Sequence, residues 1–144
     1  MPSITINSPN LELDGPILEV HFLISSELEN KYLSEGKTIP PPVIVKALID
    51  TGASTCVIQD GIPQQLGLQP VGVIKINTPS CNDHNCYQFF MRMVIPAQNL
   101  VYEGTFTAAP LLGQNISSLI GRDLLNQGIL IYIGYANSYT FSLL

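Results

Sequence analysis

Short apolar, β-branched runs separated by turn residues cover most of the chain. Ile17-Leu18-Glu19-Val20-His21-Phe22-Leu23-Ile24 alternates in part between apolar and polar positions and reads as a strand. Thr5-Ile6 begins an earlier one. Val43–Ile49, Cys56–Ile58, Val71–Asn77, Tyr87–Ile95, Leu100–Ala108, Ile129–Ile133 and Tyr139–Leu144 have the same character. Thr78-Pro79-Ser80-Cys81-Asn82-Asp83-His84-Asn85-Cys86 is rich in turn formers, which predicts a long hairpin with an exposed tip. Ser25–Thr38 is polar and reads as an exposed loop insertion with room for a helical turn around Glu27–Leu33. Ile39-Pro40-Pro41-Pro42 is stiff and extended. Pro63–Leu68 reads as one helical turn ended by Gly67. Leu119–Gly128 reads as a short C-terminal helix, opened by Gly121, with Asp123 in its first turn and Gly128 at its end. Pro and Gly, 11 of each, are spread throughout. No linker, repeat or low-complexity tract interrupts the pattern, so residues 1–144 read as a single all-β domain.

Composition changes this picture little. Charged residues make up 12% of the 144, against roughly 25% in an average soluble protein. Either a partner buries part of the surface, or the fold carries a neutral polar exterior. The net charge is −5 and the six basic residues are scattered, which argues against nucleic acid as a partner. No run approaches the roughly 18 apolar residues of a membrane span; the longest, Gly128–Ile133, is strand-length. Met1–Asn7 lacks a basic start and an apolar signal core, so a cytoplasmic location is expected. Asn115-Ile116-Ser117 matches a glycosylation sequon, read as chance without a secretion signal. Three cysteines make no disulfide framework. Cys56 reads as a small core residue.

Candidate chemistry centres on Asp50-Thr51-Gly52. An acid, a small hydroxyl and a glycine at the end of an apolar run suit the presentation of a carboxylate. Alone the triplet is a weak signal, since Asp and Gly are ordinary turn residues. Its neighbours, Leu48-Ile49 before and Ala53-Ser54 after, add to it. So does Leu119-Ile120-Gly121-Arg122-Asp123-Leu124-Leu125, where two apolar residues again lead into a glycine. Together these two segments resemble the retropepsin-type aspartic proteases. The similarity spans about Val43 to Leu144 and is strongest at the two motifs. Met1 favours a free-standing member over a polyprotein segment.

The resemblance implies a retropepsin-like half-barrel acting as a homodimer, with Asp50 from each protomer forming the catalytic dyad and no cofactor or metal. The substrate is then an extended peptide or protein. Thr51 braces the two loops across the dimer. Gly52 allows close backbone approach, and Ala53 and Ser54 line the site. Ile120, Gly121 and Arg122 support the loop. The hairpin 71–95 sits where the family carries its flap, with Asn77, Thr78, Pro79 and Ser80 near the tip. The apolar segment Tyr139–Leu144 is the candidate for an interleaved dimer contact. One departure is Ser54, where many viral members place an acid that pairs with the helix arginine; Arg122 is therefore expected to pair elsewhere. Asp123 lies too close in sequence to serve as that partner.

Other residues carry less. Cys81, His84 and Cys86 are three metal-ligand types close together, but a structural site needs a fourth ligand, and His21 lies in a distant strand. The two cysteines stand as free thiols in a polar loop or, under oxidation, as a disulfide across the tip. Neither Ser54 nor Cys56 has a histidine partner for nucleophilic catalysis. A rival reading keeps the fold but makes it a peptide-binding or dimerisation module with little turnover.

Overall fold

The computed structural model describes residues 3–78, 81–111 and 115–143, without the side chains of 76–84. In chain order the elements are β1 (Ser3–Asn7), α1 (Leu11–Asp14), β2 (Ile17–Leu23), α2 (Ser26–Ser34), β3 (Val43–Ile49), β4 (Val57–Gln59) and α3 (Ile62–Gln65). There follow β5 (Gly72–Thr78), β6 (Cys81–Ile95), β7 (Leu100–Ala109), β8 (Ser118–Ile120), α4 (Arg122–Leu125), β9 (Gly128–Ile133) and β10 (Ser138–Leu143).

Seven strands form one sheet in the order β2-β3-β8-β4-β7-β6-β5. An additional β2–β6 pairing, through His21↔Val94 and Leu23↔Arg92, closes six of them into a barrel. The architecture is thus an all-β barrel, in keeping with the all-β reading of the sequence. Strand β6 is long enough to serve both purposes. Its second half pairs with β7 from Gln88 to Ile95 within the barrel. Its first half pairs with β5, from Thr78↔Cys81 to Gly72↔Gln88, and only Gln88 of these residues also pairs with β7, so the rest runs on as a two-stranded hairpin.

Inward positions alternate as the sequence predicts. Along β2, Leu18, Val20 and Phe22 are buried, while Glu19 lies on the surface, where its carboxylate contacts His21 at 2.9 Å. Phe22 meets Phe106 edge-on at 5.3 Å in the barrel centre. Met91, Met93, Ile58 and Ile120 fill the space around them. A separate three-stranded sheet, β1-β10-β9, contributes Tyr139, Phe141 and Leu143 to the same core. The Tyr139 hydroxyl donates to the Ile17 carbonyl and ties this sheet to β2.

Four expectations need correction. First, the helical turn expected around Glu27–Leu33 within the Ser25–Thr38 loop is a full nine-residue helix, α2. Ser25 caps it by accepting from the Leu28 N–H at 3.2 Å, and Glu27 and Glu29 occupy the first turn, where acids favour a helix. Only Leu28 and Tyr32 pack on the core, so the apolar periodicity that marks a helix is too sparse to see. Arg92 also holds Glu29 at 2.6 Å, an anchor far away in sequence. With α1, α3 and α4, the described residues form four short helices, where the sequence predicts the C-terminal one and single turns around Glu27–Leu33 and Pro63–Leu68. Second, the helix expected over 119–128 begins only at Arg122. Leu119 and Ile120 are strand residues, flanked on both sides by β3 and β4.

Third, the nine-residue hairpin tip is mostly strand. Pairing continues to Thr78↔Cys81, with a register shift between Ile76 and Thr78. Cys86 is buried rather than in a polar loop. Five strand steps separate Cys81 from Cys86, about 16 Å of chain at strand rise, beyond the reach of a disulfide. The interleaving role considered for Tyr139–Leu144 also fails to fit. Strand β10 is paired on one side by β1 and on the other by β9, so it has no open edge to offer a partner chain.

Candidate active site

Strand β3 ends at Ile49, and the next seven residues form a loop that returns to β4 at Val57. Short strand β8 lies between β3 and β4, parallel to the first and antiparallel to the second. The loop therefore leaves one neighbour of β8 and rejoins the other. It curls over the point where β8 runs into α4.

Asp50 opens this loop. Its N–H donates to the Ile120 carbonyl at 2.9 Å, extending the β3–β8 ladder by one bond. Its carbonyl accepts from the Ala53 N–H at 3.2 Å, making a tight turn. Its Oδ1 accepts from the Gly52 N–H at 2.8 Å. A Cβ on Gly52 would stand 3.1 Å from that oxygen, so glycine suits the close approach. Asp50 is half-buried, Thr51, Gly52 and Ser54 are exposed, and Ala53 is half-buried.

The segment Ile120–Asp123 grips the loop along its length. The Arg122 N–H donates to the Ala53 carbonyl at 2.8 Å, and its Nη1 donates to the Thr51 carbonyl at 2.7 Å. This is where Arg122 goes in the absence of an acid at Ser54. Gly121 is pressed against the loop from below. A Cβ there would lie 2.4 Å from the Thr55 carbonyl oxygen and 3.0 Å from that of Ala53. No side chain fits between two backbones so close, and glycine at 121 is a packing requirement.

Two residues of this grip carry more than their sequence reading gave them. Asp123 Oδ2 accepts from the Cys56 N–H at 3.1 Å, and its Oδ1 accepts from the Cys56 thiol at 3.1 Å and the Leu124 N–H at 2.8 Å. The Cys56 sulfur in turn accepts from the Gly121 N–H at 3.4 Å. Burial first, and then the hydrogen bond to the Asp123 carboxylate, push the Cys56 thiol up to about 12. It stays protonated at neutral pH and is no nucleophile or metal ligand there. The two residues lie 67 positions apart. The one hint in the sequence is an acid in the first turn of the helix that follows Gly121.

Beyond the loop, Val57 begins a small apolar cluster with Cys86 and Ala109, joined by the partly buried Leu111 and Leu119. Cys86 comes from β6, so this cluster seats the hairpin on the body. Of the expected flap residues, Asn77 and Thr78 lie in β5, and Pro79 and Ser80 fall outside the described residues. On the hairpin, Val73 and Tyr87 form a cross-strand pair, both exposed.

A solved structure shares this architecture: a retropepsin-like aspartic protease from Rickettsia conorii, at TM-score 0.58 over 96% of this chain and 89% of the other. The fold is retropepsin-like. Sequence identity between the two is 16%, so the likeness speaks to the fold alone. No protein-family model matches the chain, and no curated protein matches it in sequence. Within the retropepsin-like frame, the loop carrying Asp50 and the β8–α4 junction beneath it are the two motifs read from the sequence, brought into contact. No described helix is long and apolar enough to cross a membrane.

Proposed function

We propose that the protein is an aspartic endopeptidase in which Asp50 of two identical protomers forms the catalytic dyad. The observation that carries this reading is the mounting of Asp50. One carboxylate stands at the end of a barrel strand, on a glycine turn, bound to its own loop N–H and held from beneath by Ile120–Asp123. Peptide hydrolysis needs a base to activate water and an acid to protonate the leaving nitrogen. Two carboxylates sharing one proton supply both, because neighbouring like charges do not both ionise. Their titration belongs to the pair. Activity is therefore expected to peak at mildly acid pH, where the pair keeps one proton.

The second carboxylate comes from a partner in this reading. Asp123 is committed to Cys56 and Leu124, and Asp60 accepts from Gln59. A twofold axis beside the exposed Thr51 and Gly52 brings the same loop from each chain together. The hairpin β5–β6 then acts as a flap over an extended peptide, which binds by backbone hydrogen bonds as an added strand. Apolar side chains are expected near the scissile bond, in keeping with the 12% charged residues of the chain.

Replacing Asp50 with Asn tests the proposal. The variant is expected to fold and dimerise, to lose cleavage of a peptide library, and to keep peptide affinity. Cleavage at the wild-type rate contradicts it. A wild-type dimer that binds peptides and cleaves none supports instead a peptide-binding or dimerisation module on the same fold.

A further inference from the structure

The loop between β3 and β4 has two ends, and they are held differently. Its incoming end is fixed by the ladder from Asp50 to Ile120. Its outgoing end is fixed at Cys56, by the Asp123 carboxylate on one side and by the Thr107 N–H donating to the Cys56 carbonyl at 3.0 Å on the other. Both oxygens of Asp123 are turned to Cys56, one to its N–H and one to its thiol. The groups that hold the Asp50 side chain and carbonyl, the Gly52 and Ala53 N–H groups, lie between these anchors.

We infer that Cys56 and Asp123 are a positioning pair for Asp50: the thiol–carboxylate bond sets the tension of the loop and thereby the direction of the catalytic carboxylate. The inference rests on the reading of Asp50 as the catalytic group. Neither residue touches the reacting atoms. A thiol held protonated at neutral pH is a fixed donor to the Asp123 carboxylate. Cys56 is 1% exposed, so the donor side of the bond is closed to water, while Asp123 is half-buried. When the carboxylate loses its charge or the thiol its hydrogen, a buried donor or acceptor is left poorly matched, and the residues from Thr51 to Thr55 gain slack.

The test compares Asp123→Asn, Cys56→Ala and Cys56→Ser. Asp123→Asn and Cys56→Ala are expected to lower kcat by about 10-fold or more, with KM changed by no more than about twofold. Cys56→Ser keeps a donor and is expected to recover activity to within about threefold of wild type. The double variant Cys56→Ala with Asp123→Asn is expected to be little worse than either alone, since both remove one interaction. Urea unfolding of each variant shows how much of the loss is stability. The inference is overturned if kcat is unchanged in folded Cys56→Ala and Asp123→Asn, or if Cys56→Ser is as poor as Cys56→Ala.

A wild-type protein that cleaves no peptide removes the catalytic reading but still leaves the pair testable by amide hydrogen exchange. The Gly52 amide, protected by Asp50 Oδ1, is then expected to exchange about 10-fold faster in Cys56→Ala than in wild type, with β2 unchanged. Equal exchange at Gly52 overturns the inference. Should Asp123→Asn fail to fold, the Ala and Ser variants at 56 decide the matter alone.

Discussion

The Asp50 loop and the β5–β6 hairpin are both turns between strands, yet they are built in opposite ways. The loop is pinned along its length by backbone and side-chain hydrogen bonds from Ile120, Gly121, Arg122 and Asp123. The hairpin has two strands and, among its described side chains, meets the body in one small apolar cluster through Cys86, with Val73 and Tyr87 exposed. Isolated two-stranded ribbons are marginal in water. In the proposed reading, the loop is the floor that holds a carboxylate still and the hairpin is the cover that admits a chain.

The harshest way to break the floor is Gly121→Ala. Its Cβ would meet the Thr55 carbonyl oxygen at 2.4 Å, and two backbones must separate to admit it. A loss of about 3 kcal/mol is expected, with the proposed peptidase activity falling further than stability alone explains. Denaturant unfolding and kcat measured together check this. A neutral substitution would show that the grip is slack.

A milder probe is alkali. The Cys56 thiol is raised from 9.0 to about 12, and the Tyr139 hydroxyl, by burial, from 10.0 to about 12. Between these values the unfolded chain releases protons that the native state retains. The unfolded state then binds fewer protons, and stability falls as pH rises. The contribution is fully present below about pH 9 and is lost progressively towards pH 12. Cys56→Ser is expected to flatten the lower part of that fall, while the Tyr139 part stays. Unfolding free energies from pH 8 to 11 give the answer.

The smallest global effect is expected at the cover. Cys86→Ala removes the thiol that seats the hairpin. Exchange in β5 and the first half of β6 is expected to quicken, while overall stability drops by about 1 kcal/mol or less. Equal slowing or quickening across the barrel would remove the distinction between floor and cover.

How far the sequence disclosed this structure follows the range of the interactions. Strands were legible where burial alternates locally, as in Leu18, Val20 and Phe22. The two motifs of the site were legible because each needs a particular local chemistry: a glycine beside the Asp50 carboxylate, and a glycine under the Thr55 carbonyl. Of helix α2 only a turn around Glu27–Leu33 was legible, because Leu28 and Tyr32 are its only apolar anchors and Arg92, which holds Glu29, is far away in sequence. The strand character of Cys81–Asn85 was hidden by turn-forming residue types, which pairing with β5 overrides. The Cys56–Asp123 bond joins residues 67 apart, and nothing in either neighbourhood names the other.

Mixing protomers tests the central claim most directly. Wild type and Asp50→Asn are combined, unfolded and refolded together, and activity is read against the wild-type fraction. If two Asp50 carboxylates make one site, activity follows the square of that fraction, about a quarter at equal mixing. Activity falling in direct proportion, to about half at equal mixing, would mean that a single Asp50 suffices and would contradict the shared dyad.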